Sequence, residues 1–416
     1  MIKENKMNPG DIAWVATATA LVMVMTPALG FFYAGLVRAK NLVSTLVQCL
    51  IIFAVVSLVW VLWGYSISFA PSLGGMGLVG DLSHFALNGV GLEPDGIYTT
   101  GIPVLLFFAF QLKFAAITPA LIIGSFAERI KFKALLIFTI IWATVIYSPI
   151  AHWVWNPEGW LGNLGTIDFA GGTVVHISAG LSALAAALVI GRREGIDREE
   201  PTPSNIPYVI LGTAILWFGW FGFNAGSSLA ADGVAVIAMV STNTAAATAG
   251  MTWMMVDWIR KGKPSAVGFC VGAVCGLVAI TPGSGYVTVT SAIIIGIVVG
   301  ILSNTVANWR ATRTKIDDSL DVFACHGVGG IWGALATGLF ATLAVNPNGA
   351  NGLFYGNPGQ LTSQIIAILV VGLYSFIGSF VILKIVGMIT PLRVTHEEEE
   401  AGLDVSQHGE HAYALD

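Results

Sequence analysis

Two histidines in otherwise apolar stretches are the residues of this sequence whose chemistry stands out. His176 lies eight residues after Asp168, in an apolar run that reaches Gly191 without another charge. If Asp168 caps the first turn of a helix, His176 lies about 12 Å further along the axis at 1.5 Å per residue. An ionisable ring at that depth of a membrane marks a functional site, unless it only hydrogen-bonds to a neighbouring helix. The run 321–326 ends in His326 and favours the functional interpretation.

Two histidines could bind a metal or a haem, or could line a passage. A metal site needs three or four ligands, usually with a closely spaced pair such as HxxxH, and these runs offer none. Bis-histidine haem needs room for a macrocycle, which glycine-rich, tightly packed segments do not leave. We therefore predict no metal and no cofactor. The remaining possibility is a pair of neutral imidazoles, each a donor and an acceptor, along a narrow apolar passage.

Aromatic side chains accompany the histidines. Phe110 and Phe114 are four residues apart and share one face of a helix. Trp155 follows another apolar run, and Phe223 precedes Ser227 by one turn. Such aromatics commonly form interface belts or core in membrane proteins. Their convergence with a serine above two histidines would instead make a cation–π cage for a small ammonium ion.

The composition indicates a protein that crosses the membrane several times. The 416 residues are 55% hydrophobic and 10% charged, with a mean hydropathy of +0.78. Soluble proteins carry about 25% charged residues. All four cysteines lie in apolar runs without CxxC spacing, and we interpret them as small buried side chains. The run 12–37 is too long for the core of a signal peptide and is taken as the first retained span.

Eleven runs are long enough to span a bilayer as helices, which predicts an all-α integral membrane protein. They are 12–37, 42–70, 101–126, 133–152, 169–191, 206–230, 234–258, 265–281, 286–308, 320–343 and 362–391.

Basic residues indicate how these spans are oriented. With the N-terminus outside, the inner connections hold 15 of the 19 basic residues, and the outer loops from 71 onward hold none. The inner set is Arg38, Lys40, Arg129, Lys131, Lys133, Arg192, Arg193, Arg198, Arg260, Lys261, Lys263, Arg310, Arg313, Lys315 and Arg393. The other four are Lys3, Lys6, Lys113 and Lys384. The positive-inside rule therefore predicts an N-out, C-in topology.

The span order predicts an internal repeat. His176 lies on span five and His326 on span ten, which suggests five plus five spans followed by one long C-terminal helix. Because five is odd, the two halves would be inverted, as in many transporters whose pathway lies at the repeat interface. Residues 1–395 would then form the membrane domain. The polar segment 396–416, which includes four consecutive glutamates, would be a cytoplasmic tail.

Several motifs resemble the Amt/Mep/Rh ammonium transporter family, and its Amt branch in particular. They extend in the family's order from the first span to the tail. The motifs are Ala127-Glu-Arg-Ile130, Asp168-Phe-Ala-Gly-Gly-Thr-Val-Val-His176, Trp220-Phe-Gly-Phe-Asn-Ala-Gly-Ser227, Asp321-Val-Phe-Ala-Cys-His-Gly-Val-Gly-Gly330 and Gly402-Leu-Asp-Val-Ser-Gln-His-Gly-Glu410. The tail and the positions of Trp155 and Phe223 distinguish the Amt branch from the Rh branch.

The resemblance implies roles for the aromatic residues. Trp155, Ser227, Phe110 and Phe114 match the family's outer ammonium-recruiting site. Phe114 and Phe223 match its stacked phenylalanine gate. One departure is Lys113, which lies beside Phe114 where some members have small residues; about 100° around the helix, it would face another helix or a subunit interface.

The resemblance also implies a mechanism and partners. His176 and His326 match the family's twin histidines in the pore, and Asp168 matches a buried acid that supports the site. The family implies a homotrimer in the plasma membrane with one pore per subunit, regulated by a PII-type signal protein at the cytoplasmic tail. It does not imply binding of nucleic acid. Ammonium would be recruited at the outer site and would lose a proton, so that ammonia crosses the passage with or without that proton.

Two other functions fit the sequence less well. An ammonium sensor would signal through its cytoplasmic part, but sensor versions often carry an extra domain and only a short tail follows span eleven. A membrane enzyme would need a nucleophile with a base, or a metal site, and the sequence offers neither.

The asymmetry of basic residues predicts which loops face the cytoplasm. We expect Arg192 and Arg260 inside, and loops 71–100 and 344–361 outside. Cysteine scanning of intact cells with an impermeant thiol reagent measures this directly. Labelling of position 192 or 260 from outside, with loop 71–100 protected, would contradict the eleven-span topology.

Overall fold

The part of the chain that the structure describes contains eleven apolar helices. The computed structural model describes residues 7–196 and 202–413; Lys3, Lys6 and Arg198 of the charge analysis lie outside these ranges. The helices are α1 Pro9–Leu36, α2 Ala39–Phe69, α3 Val104–Phe126, α4 Phe132–Asn163, α5 Gly172–Ile190, α6 Ile206–Ser228, α7 Gly233–Lys261, α8 Ala266–Ile280, α9 Val289–Arg313, α10 Phe323–Phe340 and α11 Pro358–Ile389. Ten are long and apolar enough to cross a membrane, and α8 is a shorter apolar helix.

Each helix coincides with one predicted span, so the predicted all-α membrane fold is confirmed. The helix starts follow ordinary capping chemistry. Asn8 caps α1 by accepting from the N–H groups of Gly10 and Asp11. Asp232 caps α7, and Thr288 caps α9, in the same way.

The two halves of the chain repeat one packing scheme in opposite directions. In the first half α3 packs against α1, α2 and α5; in the second, α8 packs against α6, α7 and α10. A side-chain carbon added at Gly212 would meet Phe32, whereas one added at Gly226 would meet Ala18. Contacts from α6 thus move towards the start of α1 as α6 proceeds, which makes the two helices antiparallel.

Helices α5 and α10 cross antiparallel as well. A side-chain carbon on Gly180 would lie 2.1 Å from the backbone nitrogen of Gly327, and one on Gly330 would lie 3.1 Å from the carbonyl oxygen of Gly172. Only glycine allows two backbones to come this close. This crossing brings the first turns of both helices, where the two histidines lie, to the centre of the molecule.

The wide first turns of α5 and α10 are a further shared feature. Residues Gly172–Ile177 and Phe323–Gly327 are π-helical, and the helices continue in regular α geometry from Ser178 and Val328. Such π turns are rare and occur mainly at functional sites. Each turn contains one of the two histidines.

The C-terminal segment packs against the helix ends instead of standing free. A short helix, α12 His396–Ala401, begins with a capping box between Thr395 and Glu398. Asp404 accepts hydrogen bonds from the N–H groups of Val43 and Ser44, at the first turn of α2. The tail therefore caps a membrane helix.

Candidate functional site

A vestibule of about 310 Å³ lies where α3 begins and α4 and α6 end. Phe114, Trp155 and Ser227 line it together with Gln111 and Asp168. The structure thus brings together three of the four residues proposed for the outer site. Phe110 is fully buried beside Phe114, with ring centroids 4.9 Å apart, and is not among the lining residues.

Hydrogen bonds hold Trp155 and Ser227 of this vestibule in fixed orientations. The indole N–H of Trp155 donates to the carbonyl oxygen of Asp168 at 2.9 Å. The hydroxyl of Ser227 donates to the carbonyl oxygen of Phe223 at 2.8 Å. Because the serine proton is used in that bond, its oxygen lone pairs remain to accept from a ligand.

Two phenylalanine rings close the floor of the vestibule. The centroids of Phe114 and Phe223 are 4.3 Å apart with an interplanar angle of 35°. Both rings are almost fully buried. The Trp155 ring meets Phe114 edge-on at 6.1 Å. A hydrated ion in the vestibule therefore faces aromatic surface and finds no open channel.

The histidines lie directly beyond this floor. His176 Nδ1 and His326 Nδ1 are 3.2 Å apart, and the ring centroids are 5.3 Å apart. The rings of His176 and Phe223 are nearly parallel, with centroids 6.1 Å apart. The residues are 1% and 3% exposed, respectively. One Nδ1 must carry a hydrogen and the other must accept it, so at least one ring is a neutral tautomer.

Trp220 contacts the histidine pair, and the sequence did not predict this contact. Its ring stacks on His176 with centroids 5.4 Å apart, and its N–H donates to the hydroxyl of Thr281 at 2.9 Å. His176 Nε2 is buried and has no hydrogen-bond partner among the described residues. One face of the His176 ring is therefore fixed by packing, while one ring nitrogen stays unpaired.

Asp168 caps the π turn that carries His176. Its Oδ1 accepts from the N–H groups of Gly171 and Gly172, and its Oδ2 accepts from Thr173 and Val174. Burial raises the pKa of this carboxyl, although the four backbone donors act in the opposite direction. The carboxylate thus positions the backbone of the turn.

The second half contains an equivalent acid, which is Asp318 and not Asp321. Asp318 lies eight residues before His326, the same spacing as Asp168 to His176, and its Oδ2 accepts from the N–H of Phe323. Asp321, the first residue of the motif that ends in Gly330, instead pairs with Arg310 at 2.8 Å. Burial, reinforced by the charge of Asp321, raises the pKa of Asp318 to about 6. The equal spacing was a usable signal in the sequence.

A cluster of charged residues links the loops at the C-terminal end of α3, away from the vestibule. Glu128 accepts from Arg38 and Arg193, and Arg193 also holds Asp317 with bonds of 2.8 and 2.9 Å. Burial alone would raise the pKa of Asp317, but the bonds from Arg193 and the charge of Arg129 lower it to about 2. A cavity of about 710 Å³ opens beside this cluster.

Lys113 points away from the vestibule. Its ammonium nitrogen lies 5.0 Å from the centroid of the Phe53 ring on α2, and the residue is half-buried. It is not among the residues that line the vestibule. Within residues 7–196 and 202–413, no group of three or more His, Cys, Asp or Glu residues is arranged to hold a metal ion.

Comparisons with known proteins agree over nearly the whole chain. A family model described as the Ammonium Transporter Family matches residues 13–413. An ammonium transporter of Bacillus subtilis (strain 168) is 49% identical, covering 98% of this chain and 99% of that protein. The crystal structure of Saccharomyces cerevisiae Mep2 superposes with a TM-score of 0.90 at 36% identity, covering 98% of this chain and 92% of the other. A structure described as a sensor Amt protein gives 0.88 at 34% identity, covering 96% and 98%.

The position of Lys113 gives a prediction. Replacing Lys113 with methionine removes a charge that faces Phe53, so ammonium uptake should stay close to the parental rate. If the charge instead faced the vestibule, it would repel a cation by several kcal/mol at an effective dielectric constant near 20. Ammonium uptake into proteoliposomes decides between these two orientations of Lys113. A large gain in uptake for Lys113→Met would show that the side chain faces the passage.

Proposed function

The chain belongs to the Ammonium Transporter Family, and from this premise we propose that it recruits ammonium at the vestibule, removes a proton and conducts ammonia past the two histidines. Its relatives are membrane transporters and not enzymes, and the chain is likewise a multi-pass membrane protein of this transporter family. The observation that carries the proposed route is the buried pair of imidazoles, 3.2 Å apart, beyond a floor of two rings in contact.

Recruitment depends on exchanging water for aromatic faces and one hydroxyl. An isolated ion in hydrocarbon costs tens of kcal/mol by Born estimates. A cation over an aromatic face regains about 0.5–2 kcal/mol for each ring, depending on desolvation. Trp155 and Phe114 supply the rings, and the lone pairs of Ser227 accept an N–H. This offsets part of the desolvation cost, enough for binding at the vestibule but not for passage of the ion.

Deprotonation accounts for selectivity without a size filter. Desolvation lowers the pKa of an ammonium ion, as it does for a buried lysine. An ammonium ion pressed against the Phe114–Phe223 floor can shed its proton and continue as neutral ammonia. Potassium has a similar size but no proton to lose. The passage therefore rejects potassium because its charge cannot be removed.

The two histidines can hydrogen-bond to neutral ammonia. Joined through their Nδ1 atoms, they act as one unit that presents both a donor and an acceptor. The proton removed from ammonium returns outside or follows through the imidazole pair, and the second route makes transport electrogenic. Reconstituted liposomes that report both uptake and current distinguish the two, with potassium as the comparison ion.

Alanine substitutions test the histidine pair. His176→Ala or His326→Ala leaves a buried ring without its partner, which costs about 1–3 kcal/mol. Either change should strongly reduce ammonium transport. The double variant widens the passage, so water enters and potassium flux should rise above the parental level. His84→Ala is a matched control, because His84 bonds to Asn88 in an exposed loop.

Potassium flux gives the decisive outcome. If the double variant carries ammonium at the parental rate and still excludes potassium, the histidines only pack the interior and the deprotonation route is wrong. If the parent protein moves no ammonium above protein-free liposomes, transport itself is refuted.

The tail supports a regulatory proposal. We place the N-terminus outside and the tail in the cytoplasm, and we propose a homotrimer whose inner face binds a PII-type protein. Lys40 donates to the backbone oxygens of Glu399 and Glu400, and a carbon added at Gly402 would lie 2.5 Å from the backbone oxygen of Lys40. The tail thus has a defined shape beside the inner helix ends, as a docking surface requires.

Truncation tests this partner. A PII-type protein should bind membranes that contain the full chain, in at least one nucleotide state, and should bind less once residues 396–416 are removed. Ammonium uptake by the truncated form shows whether it is still folded. Absence of binding to the full chain in every nucleotide state would contradict the proposal.

Sensing is the second candidate function, favoured by the structural likeness to the sensor Amt protein. A sensor would bind ammonium at the vestibule and change the conformation of the tail without a net flux of ammonium. Tight binding together with flux at the protein-free level would support it over transport.

A further inference from the structure

One polar side chain of the vestibule is not held by any hydrogen bond. Gln111 lines the vestibule on α3, one turn before Phe114. Its Oε1 is buried and has no hydrogen-bond partner within the described residues, while the residue as a whole is half-buried. Trp155 and Ser227 are each held by one bond to the backbone. A buried amide without a partner is costly unless something else satisfies it.

We propose that Gln111 is a further ammonium-contacting residue, whose amide oxygen accepts an N–H of the ion at the vestibule. The inference rests on the proposed function and adds one residue, which lies between Phe110 and Phe114, to the outer site. It assigns the unpaired amide a partner of matching chemistry, since an ammonium ion has four donors and no acceptor.

The other acceptors around the ion leave a role for Gln111 as a hydrogen-bond acceptor. Both oxygens of Asp168 already accept two backbone N–H groups each. Trp155 and Phe114 offer ring faces, which attract the charge but accept no directed bond of ordinary strength. Ser227 supplies one hydroxyl oxygen. The oxygen of Gln111 would therefore add a directed acceptor one turn from Phe114, besides the oxygens of Asp232, Asn346 and Asn348 that also line the vestibule.

Nothing holds the amide in one orientation. Rotation by 180° about the last side-chain bond exchanges Oε1 and Nε2, and it breaks no hydrogen bond because none is formed. The amide can thus turn its oxygen towards an arriving cation at little cost. The direct cause of binding is then a charge-assisted hydrogen bond, which is stronger than one between neutral groups.

Kinetics of ammonium uptake in proteoliposomes test the assignment. Gln111→Leu removes the acceptor at similar size and should raise KM about tenfold with little change in maximal rate. Gln111→Glu keeps an acceptor and should hold KM at or below the parental value. Ser227→Ala removes the other proposed acceptor, and its rise in KM is the reference for the effect of losing one acceptor. Lys113→Met, on the same helix but facing Phe53, should leave KM unchanged.

Each outcome is decisive. A parental KM for Gln111→Leu, with a raised KM for Ser227→Ala, overturns the role of Gln111 and leaves the proposed function standing. Equal losses for Gln111→Leu and Gln111→Glu show that Gln111 only packs and also overturn it. Absence of uptake by the parent protein refutes the proposed function itself.

Discussion

The contact between the backbones of Gly180 and Gly327 is the constraint on which the central part of the structure depends. Gly180 has no room for a methyl group, because a carbon there would lie 2.1 Å from the backbone nitrogen of Gly327. The close crossing sets the distance between α5 and α10, and hence the 3.2 Å contact between His176 and His326. A wider crossing would separate the imidazoles, and each would then need another buried partner.

The π turns and their acidic caps follow from the same crossing. A π turn widens the helix at the point where the histidine projects, and it leaves backbone N–H groups that need acceptors. Asp168 satisfies four of these groups in the first half, and Asp318 serves the second half. Because these N–H groups are buried and need acceptors, the acids hold the geometry of the turns.

The sequence predicted the helices well because hydropathy alone determines which segments can span a bilayer. Every predicted span is a helix, and the antiparallel crossing of α5 with α10 agrees with the inverted repeat inferred from two histidines. The eight-residue spacing to His326 pointed to Asp318 and not Asp321 as the cap of α10, but the sequence analysis did not use it. The sequence could not show that Gln111 lacks a partner or that Asp404 caps α2, since these depend on neighbours distant in the chain.

The two ends of the passage share one plan but differ in charge. Inverted halves place Asp168 near the vestibule and Asp318 at the opposite end, each eight residues from its histidine. At the vestibule the neighbours are aromatic rings and the oxygens of Ser227 and Gln111, which suit a cation. At the other end five basic side chains line the cavity against three carboxylates, and this excess of positive charge does not suit a cation. The basic residues are Arg192, Arg193, Lys261, Arg310 and Lys315, and the acids are Asp257, Asp317 and Asp321. The central passage is therefore nearly symmetric, and under the proposed function a preference for capturing ammonium from one side would arise from the surroundings of its two ends.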